Sequence, residues 1–133
     1  MDIPESISCA FDATGVLDQL ERCSAEQLDE LDFGVIGFGM DEVVERYNST
    51  ESRLAGLSRD RVLGLGLFAV VAPCMNNFLV AQRFQHAATS GETLDVAIDY
   101  VLTLRMRPQK VRLRLLAAAG VTTRYILVER RLS

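Results

Sequence analysis

The chain has 133 residues, 49% hydrophobic and 24% charged, with a net charge of −4. That size fits one domain with a real core and room for a small ligand, and it excludes a two-domain enzyme with separate cofactor and substrate domains. The composition excludes a disordered chain, and three cysteines at 9, 23 and 74 with no CxxC spacing argue against a disulfide framework or zinc site and for a reducing cytoplasm.

The first residues, Met1-Asp2-Ile3-Pro4-Glu5, are acidic where a secretory leader would be basic, so none is expected. Residues 14–31 read as helical. Thr14 caps them, and Val16, Leu17, Leu20, Leu28 and Leu31 form an apolar stripe. Ser24 followed by Gln27 is the capping-box pattern of a second short helix. Phe33 to Phe38 reads as a strand, Gly39 to Glu42 as a turn, and Val43 to Tyr47 as the strand that completes a hairpin. Asn48 and Ser49 start a short helix through Leu54, and Ser58 opens another through Val62. The apolar run from Leu63 to Met75 is about 13 residues and is broken by glycines and a proline. A bilayer span needs ~20, so no membrane is expected. Asn76 or Asn77 caps a helix from Phe78 to Thr89, with Leu79, Val80, Phe84 and Ala87 on its apolar face and Ser90-Gly91 at its end. Three strands follow, Val96 to Met106, Val111 to Leu116 and Thr123 to Val128, with turns at Arg107-Pro108-Gln109 and Ala118-Ala119-Gly120. The middle strand alternates cleanly, with Val111, Leu113 and Leu115 on one face and Arg112 and Arg114 on the other.

Two strands, a helical middle and three antiparallel strands predict an α+β fold: a five-stranded antiparallel sheet with helices packed on one face, the order of a PAS domain. Such domains are more often sensors or binding modules than catalysts, although fold alone does not settle function.

Charge is unevenly placed. Residues 1–32 carry nine acids and one base, Arg22, for −8, and the rest carries +4. Arg105, Arg107, Lys110, Arg112 and Arg114 crowd one stretch. They could form a nucleic-acid patch, a solvated hairpin face, or the seat of a detachable acidic cap. The acidic segment would compete with phosphate, so nucleic acid is not the expected partner. A cap held partly by charge should loosen as salt rises.

Three positions could carry chemistry. Cys74 follows Val-Ala-Pro and precedes a predicted helix, whose N-terminus would stabilise a thiolate; it reads either as a nucleophile or as a small buried hydrophobe. Tyr47 and Glu51 lie four apart across a helix start. They either converge or are a core tyrosine and a solvated glutamate. His86, the one histidine, lies twelve residues beyond Cys74, ~18 Å along a helix, and reads as a surface residue. Cys9 and Cys23 have no partner pattern and read as packing residues or weakly reactive thiols.

Leu31-Asp-Phe-Gly34, Arg46-Tyr-Asn48, Glu51 and Val71-Ala-Pro-Cys74 together resemble the photoactive yellow protein family. Met106-Arg-Pro-Gln-Lys-Val111 and Tyr125-Ile-Leu-Val128 resemble its hairpin and last strand. The resemblance implies a blue-light photoreceptor, not an enzyme, that binds p-coumaric acid (4-hydroxycinnamic acid) as a thioester on Cys74. Tyr47 and Glu51 would hold the phenolate, and Ala55, Leu57, Pro73, Leu102 and Met106 would line the pocket. It implies trans-to-cis isomerisation, proton transfer from Glu51 to the phenolate, and partial opening as the signal. Residues 1–32 would be an acidic N-terminal helical cap on a chromophore-binding core of residues 33–133, one structural domain in all. Met106 would assist thermal return. The implied partner is a signalling protein in the cytoplasm, with homodimerisation left open.

Keeping a buried phenolate ionised needs strong donors. Tyr47 can donate its O–H, and Glu51 can donate only when protonated, which burial and a neighbouring anion both favour. Two positions depart from the family: Ala55 replaces a threonine that supports the tyrosine, and Leu57 replaces an arginine over the ring. A shifted spectrum and altered recovery are expected. Leu104 and Tyr125, where the family often has tyrosine and tryptophan, read as core replacements. Two alternatives remain. One is a PAS module that binds another ligand or a protein without the chromophore. The other is a thiol acyl transferase, which lacks a nearby general base.

Overall fold

The computed structural model describes residues 9–103 and 108–130. Five strands form one antiparallel sheet in the order β2-β1-β5-β4-β3: β1 (Gly34–Phe38), β2 (Val44–Tyr47), β3 (Leu94–Leu102), β4 (Gln109–Ala118) and β5 (Val121–Arg130). The predicted α+β PAS architecture is therefore present. The last two strands run longer than the sequence pattern proposed.

Five α-helices accompany the sheet: α1 (Val16–Arg22), α2 (Ala25–Asp29), α3 (Ser49–Ala55), α4 (Arg59–Val62) and α5 (Ala81–Ser90). The Ser24–Gln27 capping box opens α2 as predicted. Gly15, in the left-handed region, precedes α1 in place of Thr14. The helix expected from Phe78 begins at Ala81. The Asn77 side chain accepts from the amides of Leu79 and Val80, which closes a turn first and leaves Phe78 and Leu79 exposed. Gly91 ends α5 with a positive φ, as a C-terminal glycine should.

The helices are not confined to one face, contrary to the sequence expectation. On one face, Ile36, Phe38, Val111, Leu113, Leu115, Ile126 and Val128 pack with residues of α4, α5 and the Leu67–Met75 segment. On the other, Val35, Leu116, Tyr125 and Leu127 pack with Phe11, Val16, Leu20, Cys23 and Leu28 of the N-terminal segment. Period-two alternation along β4 and β5 supplies both faces.

Arg112 and Arg114 are not the solvated hairpin face that was one reading of them. The Arg114 guanidinium donates to the carbonyls of Phe11 and Ala13 and pairs with Asp95 at 2.9 Å. Arg112 lies over the Phe11 ring, 5.3 Å from its centroid, and faces Asp12 and Glu129. At the other end of the segment, Arg46 donates to the carbonyls of Leu20 and Cys23 and to the Tyr125 hydroxyl, which donates in turn to Glu21. Arg105 and Arg107 lie outside the described residues.

Candidate functional site

Tyr47 ends β2 and Glu51 stands in the first turn of α3. Asn48, between them, is buried and satisfies several elements at once. Its Oδ1 accepts from the amides of Glu51 (3.0 Å) and Val35 (2.9 Å), and its Nδ2 donates to the carbonyls of Leu28 and Phe33. This N-cap fixes the start of α3 and therefore the place of Glu51. Glu51 also needs room in β1. A Cβ on Gly34 would run into Glu51 Oε1, so any other residue there must displace the carboxyl.

Tyr47 and Glu51 are both buried, and Glu51 is not the solvated glutamate that one reading of the spacing allowed. Its side chain is 2% exposed. Burial pushes the Tyr47 phenol upward, the Glu51 carboxylate adds to that, and Arg130 opposes it. Among the described residues the Tyr47 hydroxyl has no hydrogen-bond partner.

Arg130, at the end of β5, was not foreseen. Its Nη1 donates to Glu51 Oε1 at 2.6 Å and its Nη2 to Oε2 at 3.0 Å, a bidentate fork with a guanidinium side chain only 6% exposed. Its Nε donates to Gln109 Oε1 at 2.8 Å. Burial raises the Glu51 carboxyl above its ordinary value, against the hydrogen bonds and charge of Arg130. A signal for Arg130 did exist: Arg124, Ile126, Val128 and Arg130 alternate along β5 on the inner face.

Cys74 is reached through an unusual backbone. A π turn over Leu67–Val71 uses i→i+5 bonds, Val71 N to Gly66 O and Ala72 N to Leu67 O, and Pro73–Met75 then forms a 3-10 turn. Such π turns are frequent at functional sites. The expected helix N-terminus is not adjacent to Cys74, because α5 starts only at Ala81. Instead the Cys74 carbonyl accepts from the Tyr100 hydroxyl (2.5 Å) and from Asn77 Nδ2 (3.2 Å), which ties the turn to β3.

Cys74 is free and half-buried and packs on the large apolar cluster that includes Tyr47, Leu102 and Met75, as Leu57 also does. Ala55 is buried at the end of α3, and Pro73 is exposed. Met106 and Leu104 lie outside the described residues. His86 is a surface residue, 3.7 Å from Glu92. Cys9 and Cys23 pack in or against the N-terminal cluster. Burial pushes Cys9 up to about 11, with Cys23 adding and Arg114 opposing, and burial also raises Cys23 against Arg46. Both are therefore poor nucleophiles near neutral pH.

Residues 28–131 match the family model described as PAS fold. The chain is 30% identical to a photoactive yellow protein of Rhodothalassium salexigens over 117 residues, which cover 85% of this chain and 93% of that protein. The chain belongs to the photoactive yellow protein family. A second photoactive yellow protein, from Halochromatium salexigens, is 28% identical over 90% of this chain and 95% of its own. Among solved structures, the photoactive yellow protein domain of the sensor histidine kinase Ppr from Rhodospirillum centenum is 35% identical, with a TM-score of 0.78 over 85% of this chain and 98% of that one. Membership in the photoactive yellow protein family makes this a PAS sensory domain and not an enzyme. No helix among the described residues is long and apolar enough to cross a membrane.

Proposed function

We propose that this chain is a blue-light photoreceptor that carries p-coumaric acid as a thioester on Cys74. The observation that carries the reading is the residue set: a buried tyrosine whose hydroxyl makes no hydrogen bond among the described residues, a buried carboxyl whose charge acts on it, and a free thiol packed against the same apolar cluster. A ligand oxygen would complete the Tyr47 hydroxyl, so these residues fit the group. Bound there, p-coumaric acid would supply a conjugated phenolate that absorbs blue light and isomerises from trans to cis.

The chain's own part is to attach, hold and protonate. Cys74 Sγ forms the thioester bond while the leaving group of the activated acid departs with the thiol proton. With Cys9 and Cys23 held as thiols, acylation falls on Cys74. Tyr47 would donate a hydrogen bond from its hydroxyl to the phenolate oxygen, and Glu51 would keep its proton in the dark to serve as the second donor. On illumination Glu51 gives that proton up, and a carboxylate is left in a desolvated place. Leu57, Leu102 and Met75 keep water from the apolar cluster. Ala55 offers Tyr47 no hydroxyl, so the tyrosine is aimed by packing alone, and a shifted spectrum and altered recovery follow. The signal goes to a protein partner.

Reconstituting the full chain with activated p-coumaric acid tests the proposal. A mass gain of one coumaroyl group and a visible band should both vanish in Cys74→Ala. Infrared difference spectra should lose a protonated-carboxyl band on illumination, and Glu51→Gln should abolish that loss. One observation favours a second reading, a PAS module for another ligand: Arg130 already takes both Glu51 oxygens. An unreactive Cys74 in the same reconstitution would decide for it.

A further inference from the structure

A bidentate arginine on the proposed proton donor asks for an explanation, because a carboxyl forked onto a guanidinium is in its ionised arrangement, whereas a donor to a ligand oxygen must be neutral. We propose that Arg130 is the counter-ion of Glu51: the neutral carboxyl is free to turn its O–H to a ligand, and the ionised carboxyl is received by the Arg130 fork, 2.6 and 3.0 Å away.

Three features build this pairing. Arg130 is aimed from behind by Gln109, which accepts from its Nε at 2.8 Å, and β5 is held there by the register of Val111 against Arg130. Gly34 leaves the place that the carboxyl occupies, where a Cβ would otherwise stand. Both side chains are more than nine-tenths buried, so neither charge has water as an alternative partner. Among the described residues, the charged and titratable groups facing Glu51 are Arg130 from β5 and Tyr47 from the end of β2. Gly34 faces it from β1, and Gln109 of β4 reaches it through Arg130. Leu57, at the position where the resemblance implies an arginine, supplies no cation, and Arg130 brings one from β5.

The consequence for signalling rests on the proposed function. Proton loss from Glu51 would not leave an orphan charge here, because Arg130 stands ready for it. The ionised state is therefore stabilised in place, and the drive to open the fold is smaller than it would be without the arginine.

The test needs no chromophore in its first part. The full chain as expressed, with carbon-13 in its glutamate carboxyls, is titrated by NMR, with Glu51→Gln used to assign the Glu51 signal. In Arg130→Gln the Glu51 midpoint should rise by about 1–3 pH units, with Arg130→Lys in between. In the unaltered chain the Arg130 Nε–H signal should follow the Glu51 midpoint, and this dependence should disappear in Glu51→Gln. An unchanged midpoint in Arg130→Gln overturns the proposal. So does an Arg130 signal that ignores Glu51, and that measurement holds even if Arg130→Gln does not fold. In the second part the same proteins are treated with activated p-coumaric acid. A coupled titration without an adduct keeps the counter-ion and removes the chromophore reading. An adduct with no coupling in the titration does the reverse. With both present, Arg130→Gln should show a larger light-induced rise in amide hydrogen exchange, and an unchanged rise overturns the link to opening.

Discussion

A tyrosine hydroxyl without a protein partner contributes little to the fold that carries it. Tyr47→Phe in the chromophore-free chain should change stability by less than ~0.5 kcal/mol, as read by urea unfolding, because no hydrogen bond among the described residues is lost. A loss of several times that amount would mean the hydroxyl has a structural partner after all. Gly34→Ala is the opposite case. The added methyl meets Glu51 Oε1 and must displace the carboxyl from the Arg130 fork. A cost of about 1–3 kcal/mol is expected in the same unfolding assay. Tyr47, Glu51 and Cys74 were candidates from the residue pattern and became the expected site only through the family resemblance. Arg130 escaped notice because a charged residue near a chain end reads as solvated. Carrying the alternation of Ile126 and Val128 two residues further would have placed it inward.

Elements with a strong period were readable, and elements held by special hydrogen bonds were not. The alternation in β4 and the capping box of α2 appear as the sequence says. The π turn before Cys74 has no sequence signature, since its i→i+5 bonds form along a glycine-broken apolar run that could have been strand or helix. The start of α5 was missed because Asn77 uses its side chain to close a turn before it. The N-terminal segment, in turn, is fastened by arginines on the sheet that take its carbonyls and by the Arg59–Asp29 ion pair at 2.6 Å. Arg46 holds the end of α1 through the carbonyls of Leu20 and Cys23. Arg46→Met should therefore raise amide hydrogen exchange across α1 and α2 by roughly ten- to a hundredfold, the equivalent of about 1.5–3 kcal/mol for hydrogen bonds to a charged group. Equal exchange in the two proteins would mean that the segment is secured without the Arg46 bonds.

For the molecule as a whole, Glu51 gives stability a pH dependence whose sign is fixed by its environment. Burial raises its folded value despite Arg130. Above the unfolded value of ~4.3 the folded chain keeps a proton that the unfolded chain has released. Stability from this group therefore falls as pH climbs out of the ordinary carboxylate range, and levels off once the raised folded value is passed. Urea midpoints of the unaltered chain and Glu51→Gln, measured from about pH 4.5 to 8, should diverge over that window. Parallel curves would return Glu51 to ordinary behaviour. The second face of the sheet has its own consequence. Arg46 and Arg114 grip main-chain oxygens of the leading segment, and such oxygens are supplied by every amino acid alike. The clasp is therefore blind to most of the lettering it closes over. A foreign peptide with the same bends and a few apolar residues could be grafted between those two arginines and still be held, which leaves this side of the sheet open to exchange.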